Sequence, residues 1–324
     1  MQAATDPAVA TRRPRLYWWK EALFAAAFYV VYSWIRNRFG SAGMDETDRA
    51  VQAFTNAKRV IRLEELLGLF HEQRIQEFFL RWPTFIRAMN IYYGTAHFVV
   101  TIAVFALLFI KRPAVFPQWR NTLAVMTGLA IAGFALFPLM PPRLLDVPCE
   151  DFGAACLHDG SFGFVDTLKV HGGLWSFDSG GMAAVSNQYA AMPSLHIGWS
   201  TWCAVAMWPL LRRRWQRVAV LAYPLLTLFC IIVTANHFWL DGAGGLLVFF
   251  LGLLAGWGLH RWNQDRLDRR ELRRHGLTLP VVPPASTPVA ALTDATERGA
   301  EPAAVGGHRD ASDSVARDVA GTDP

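Results

Sequence analysis

The sequence predicts an all-α, polytopic membrane protein with six transmembrane helices. Three observations carry that expectation. Hydrophobic residues make up 53% of the 324-residue chain and charged residues only 18%, too apolar a balance for an ordinary soluble domain. Aromatic residues are abundant, with 13 Trp and 22 Phe, and such rings crowd membrane–water interfaces. Six stretches are apolar over roughly the 20 residues that a helix needs to cross a bilayer.

The first stretch runs through ALFAAAFYVVYSWI, roughly 18–36. It ends in WIRNRF and lacks the small-residue cleavage site of a signal peptide. The second is AMNIYYGTAHFVVTIAVFALLFI, roughly 88–110, and the third NTLAVMTGLAIAGFALFPLM, roughly 121–140. SLHIGWSTWCAVAMWPLL, roughly 194–211, is the fourth. VAVLAYPLLTLFCIIVTA, roughly 218–235, and FWLDGAGGLLVFFLGLLAGWGL, roughly 238–259, complete the set. Between the first two spans, LEELLGLFHEQRIQEFFLRW reads as an interfacial amphipathic helix, its apolar face on the membrane surface or on the bundle. The chain thus divides into an N-terminal tail (1–17), a six-helix membrane catalytic domain (18–262) and a C-terminal tail (263–324). That last tail is basic at first, then rich in Pro, Ala, Gly, Thr and Asp, a composition that builds no core and predicts disorder.

Loop charge sets the orientation. RRPR precedes span one, KR follows span two, RRRWQR follows span four, and an arginine run follows span six. All four fall on one side of a six-span protein, which the positive-inside rule makes cytoplasmic. Both termini are then cytoplasmic, in a protein integral to the plasma membrane. The loop 141–193, with Arg143 and Lys169 as its only Lys or Arg, faces outward. The net charge of +5 is accounted for by those cytoplasmic loops, so nucleic-acid binding is not expected.

The polar residues of the apolar regions converge. Arg143 lies just past the outer end of span three, His196 just inside span four, and His237 and Asp241 at the outer start of span six. Ionisable residues at membrane depth are costly and mark function. A helix would place His237 and Asp241, four apart, on one face. The carboxylate then fixes the imidazole tautomer and leaves the other ring nitrogen as nucleophile or base. Arg143 offers a planar fork suited to phosphate. Two histidines, a carboxylate and an arginine make a metal-free phosphoryl-transfer set. One histidine attacks phosphorus, the other exchanges protons with the leaving and incoming oxygens, and the arginine steadies the charge. Ser194 starts a helix at the interface, where its hydroxyl and open N–H groups suit an anion.

Other chemistry fits less well. A bis-histidine haem would use His97, His196 or His260, but His260 falls on the cytoplasmic side. His196, His237 and Asp241 are suitable metal ligand types, yet the arginine argues for an anion, and no C-x-x-C spacing or P-loop appears. No cofactor is called for. A transporter would show broken paired spans or repeat symmetry, and neither is visible.

PSLH at 193–196 followed by H-x-x-x-D at 237–241 resembles the second and third motifs of the type 2 phosphatidic acid phosphatase (PAP2) superfamily, PSGH and S-R-x5-H-x3-D. The resemblance implies a six-helix membrane core, His237 as nucleophile, Asp241 as its orienting partner, His196 as general acid and base, and Arg143 in the role of the first-motif arginine. Leu136 stands where that motif, K-x6-R-P, has lysine, and Ile231 where the third has arginine. PPR…PSLH…H-x-x-x-D, with NIYYGTAHF (90–98) and GFVDTL (163–168), looks more like the branch of inositol phosphorylceramide synthases. That likeness implies a lipid phosphotransferase moving a phospho-alcohol such as phosphoinositol from a phospholipid to an alcohol-bearing acceptor at the outer face. The alternative is a lipid phosphate phosphatase with water as acceptor; the two share every catalytic residue, and kinship of fold does not choose between them.

Further candidates for substrate contact are Ser194 and Asn236 beside the histidines, His97 and Tyr93 on span two, and Asp166, Lys169 and Tyr189 in the outer loop. Cys149 and Cys156, in the same loop, are either a small disulfide bracing it or two free thiols.

Overall fold

A computed structural model describes residues 17–35, 46–173 and 188–274; the N-terminal tail before Tyr17 and the tail beyond Arg274 lie outside them. The described residues form nine α-helices: α1 Trp18–Ile35, α2 Glu46–Leu66, α3 Glu72–Leu80, α4 Pro83–Lys111, α5 Phe116–Leu136, α6 Thr167–His171, α7 Leu195–Met207, α8 Arg214–Val233 and α9 Trp239–Arg274. No strand forms among them beyond a single bridge, Leu139 to Ala190. By contacts the chain divides into a unit of residues 1–270 and a second of 271–324.

Among the described residues, three helices are long and apolar enough to cross a membrane: α4, α8 and α9 over Trp239–Arg270. Each turns large apolar side chains outward, among them Val99 and Ile102 on α4, Val218 and Leu225 on α8, and Leu247 and Leu254 on α9. Lipid tolerates such faces and water does not. The fourth expected span is shorter than its apolar run. Helix α7 has 13 residues and gives way to a 3₁₀ turn at Trp208–Leu210, where Pro209 brings no amide hydrogen to continue the ladder.

Glycines let α9 approach its neighbours closely. A Cβ on Gly256 would stand 2.3 Å from Thr122 Oγ1 of α5, and one on Gly245 would stand 2.3 Å from the Ser194 carbonyl oxygen. Bilayer helices pack through such small-residue contacts. Val104, Leu108, Phe116, Met126, Trp202, Val248 and Phe249 fill the space between α4, α5, α7 and α9.

The amphipathic stretch departs from expectation. It is two helices, α2 and α3, broken at Leu67–His71, where Gly68 takes a positive φ of 67°. The apolar face of α2 (Ala53, Phe54, Ala57, Val60, Ile61) packs on the long loop after α5, against Leu139, Leu144, Leu145, Phe164 and Tyr189. That loop is pinned by side chains that answer its backbone. Gln76 of α3 exchanges two hydrogen bonds with Val165, and Asn90 of α4 donates to the carbonyls of Thr167 and Gly172. Cys149 and Cys156 form a disulfide, Cα atoms 6.0 Å apart, which decides the alternative left open by the sequence.

Candidate active site

The site is built around the turn between α8 and α9. Helix α8 ends in a Schellman motif: Asn236 N–H bonds the Ile231 carbonyl and Ala235 N–H bonds the Ile232 carbonyl. Ala235 holds the left-handed position at φ 52°, one usually left to glycine and strained for a side chain. The Ala235 carbonyl in turn accepts from Arg143 N–H at 2.8 Å. That bond ties the loop after α5 to the turn that carries His237.

Helix α9 begins at Trp239, so His237 stands before the helix rather than on it. The pair meets all the same. Asp241 turns back, and its Oδ2 accepts from Phe238 N–H at 2.9 Å and lies 3.2 Å from His237 Nδ1. This is the N3 side-chain half of a capping box, which satisfies an orphan amide of the first turn. With Nδ1 engaged by a carboxylate, Nε2 of His237 is the nitrogen left for chemistry. His237 and Asp241 are 4% and 0% exposed.

His196 comes from the first turn of α7. Its ring centroid is 5.5 Å from that of His237. Tyr93 of α4 stacks on it at 4.3 Å, and His97, one turn further on, meets it edge-on at 4.2 Å. His97 is itself oriented by Nδ1 against the Tyr93 carbonyl at 2.9 Å. Ser194 N–H donates to the Asp241 carbonyl at 2.9 Å, which ties the start of α7 to the first turn of α9 and fixes the two histidines relative to each other. The Ser194 hydroxyl caps nothing on its own helix.

Arg143 is buried, and its fork is in use: Nη1 donates to Asp166 at 2.7 Å and Nη2 to Gln188 at 2.6 Å. Asp166 also caps α6 by accepting from the amides of Leu168 and Lys169. The guanidinium therefore clamps the loop. Its Nε, the Ser194 hydroxyl and His196 Nε2 are buried polar atoms with no partner among the described residues. Buried donors without partners are uncommon and call for an explanation. Each is of a type that can bond an anionic oxygen.

The remaining sequence candidates lie apart from the rings or are spent. Asn236 directs its amide to Thr234 at 2.8 Å. Lys169 is exposed and paired with Asp151, and the Tyr189 hydroxyl donates to the Phe152 carbonyl at 3.2 Å. Gln188 carried no signal in the sequence. Glu64 and Glu72, whose carboxylates reach the first turn of α9, carried a faint one: both are charged yet sit on the packed side of an amphipathic pattern.

No curated protein and no solved structure matches the chain. A family model described as PAP2 superfamily matches residues 58–255. The match opens in α2, closes in α9, and contains Arg143, Ser194, His196, His237 and Asp241. With more than half of its length matched, the chain belongs to the PAP2 superfamily.

Proposed function

We propose that the protein is a six-span membrane phosphotransferase. It moves a phospho-alcohol headgroup of phosphoinositol type from a phospholipid to an alcohol-bearing lipid at the outer face of the plasma membrane. Membership of a family of phosphatases and phosphotransferases supports the reaction class. The observation that carries the reading is the buried pair of imidazoles: His237 with Nδ1 on Asp241, and His196 with an unpartnered Nε2, rings 5.5 Å apart.

The chemistry follows from those atoms. His237 Nε2 attacks phosphorus, and the bond to the donor's alkoxide breaks as protonated His196 gives that oxygen its proton. Asp241 compensates the positive charge on the phosphorylated imidazole. Neutral His196 then takes the proton of the acceptor hydroxyl, whose oxygen displaces His237 from phosphorus and regenerates it. Arg143 Nε and the Ser194 hydroxyl donate to the phosphoryl oxygens as charge builds. Burial of His237 favours an alcohol over water as acceptor, because a phosphohistidine shielded from water survives until the acceptor arrives.

The test uses purified protein in detergent with labelled phospholipids and lipid phosphates, following released phosphate and new lipid products together. A new phosphorylated lipid that requires an added alcohol-bearing acceptor is the expected result. Free phosphate without an acceptor would make the protein a lipid phosphate phosphatase. Neither product from any donor would overturn the enzymatic reading.

A further inference from the structure

The first amides of a helix lack acceptors within it. At the start of α9 three carboxylates supply them. Asp241 accepts from Phe238, Glu72 Oε1 from Trp239 at 3.3 Å, and Glu64 Oε1 from Leu240 at 2.8 Å. Asp241 belongs to the helix itself, whereas Glu64 and Glu72 arrive from the end of α2 and the start of α3, either side of the Leu67–His71 turn. Both are 0% exposed.

Three buried carboxylates around one helical turn are unfavourable if all are ionised. The positive end of the helix dipole offsets part of that cost. Glu72 and Glu64 bond the adjacent amides of Trp239 and Leu240, which brings the two carboxyl groups close together. Their second oxygens, Glu64 Oε2 and Glu72 Oε2, are buried without a donor among the described residues. One proton held between the two carboxyl groups satisfies both oxygens and removes one negative charge.

We propose that Glu64 and Glu72 are positioning residues for the phosphotransfer site: as a proton-sharing pair they dock the α2–α3 hairpin on the first turn of α9 and hold His237 and Asp241 in register with His196. The inference rests on the reading of His237 as nucleophile. The charged groups acting on Glu64 are Glu72 from α3 and Asp241 from α9, both acidic; Asp241 in turn faces His237. Burial first, then Glu72, push the Glu64 carboxyl up to about 9, against the pull of the Leu240 amide. A carboxyl raised in the folded state holds its proton there more tightly than when unfolded. Its contribution is complete below the ordinary carboxyl range and is lost as pH rises through about 9. The docked hairpin therefore loosens on the alkaline side.

The experiment compares full-length wild type, Glu64→Ala and Glu64→Gln in detergent, with kcat and KM measured from pH 6 to about 10 and Tm measured over the same range. Glu64→Ala removes the acceptor for Leu240 and lowers kcat about ten- to a hundredfold with little change in KM, as small misplacements of a nucleophile do. Glu64→Gln keeps the acceptor, supplies a donor toward Glu72 and has no proton to lose. It recovers kcat to within about fivefold of wild type and flattens the alkaline fall in both kcat and Tm. A Glu64→Ala enzyme with wild-type kcat would overturn the inference, as would a Glu64→Gln enzyme that keeps the wild-type alkaline fall in Tm. Tm needs no turnover, so the pair is decided even if no donor is found for the wild type, a result that would count against the proposed function alone.

Discussion

At the start of α9 three carboxylates, Glu64, Glu72 and Asp241, are buried against the first turn. About six turns on, Arg261 and Arg266 lie over the rings of Trp257 and Trp262, which are 49% and 57% exposed. The acidic residues suit the dipole at the start of the helix, and the two stretches use charge differently. The buried charges have fixed partners in the first turn and, in the function proposed above, set the distances the chemistry needs. The exposed ones lie over exposed rings and are free to rearrange. Substitutions should therefore cost much at the first end and little at the second.

The largest effect is expected at His237. His237→Ala removes the proposed nucleophile and should lower kcat by about four orders of magnitude or more, with Tm close to wild type. His260→Ala, on the same helix but about six turns further on, should stay within about twofold of wild type. Equal losses in the two variants, measured in the headgroup-transfer assay, would mean that the ends of α9 do not differ as argued. Asp241→Asn leaves the shape but changes what His237 Nδ1 faces, and should cost about a hundredfold or more in kcat.

Next comes Arg143. Arg143→Lys keeps the charge but cannot fork to Asp166 and Gln188 while offering Nε. A loss of about one to two orders of magnitude in kcat/KM is expected, the equivalent of one or two charge-assisted hydrogen bonds. Arg143→Leu goes further, since Asp166 would be left buried and unpaired. It should lower stability by about 3–5 kcal/mol, read as a fall in Tm. A Leu variant as stable as wild type would show that the clamp holds nothing.

How much of this was legible in the sequence depends on whether a residue's role follows from its neighbours in the chain. The contact between His237 and Asp241 follows from a spacing of four, although the helix invoked to explain it starts two residues later. The carboxylate folds back as a cap instead. The convergence of Arg143, His196 and His237 follows from topology, because each stands beside the same ends of apolar segments. Long-range partners do not follow. Nothing local says that Gln188 meets Arg143 or that Glu64 reaches Leu240, 176 positions away. The break at Gly68 was hidden for a related reason: the apolar pattern runs through the turn, and only tertiary packing separates α2 from α3. The length of α7 was overestimated because apolar composition cannot reveal where a helix ends inside an apolar run.

Two glycines of α9 sharpen the contrast at lower cost. A Cβ on Gly245 would lie 2.3 Å from the Ser194 carbonyl, whereas one on Gly258 meets nothing within 4 Å. Gly245→Ala must push α7 and α9 apart at the point where Ser194 and Asp241 are joined. It should cost about 1–3 kcal/mol in stability and lower kcat as well. Gly258→Ala has free space and a better helix former, so stability should hold or rise by up to about 1 kcal/mol.

The smallest effect is expected from the exposed rings and cations. Arg266→Ala deletes a cation–π contact whose guanidinium carbon stands 4.4 Å from the Trp262 ring centre. At an exposed site such a contact contributes about 0.5–1 kcal/mol, and part of that is regained as the freed ring settles among lipid headgroups. The Tm of Arg266→Ala should therefore move by only a degree or two, and kcat should be unchanged. A large drop in kcat with unchanged Tm would be the informative failure. It would mean that the exposed stretch of α9 reports to the histidines more than about seven turns away, and that burial alone does not separate the charges that matter to the chemistry from the rest.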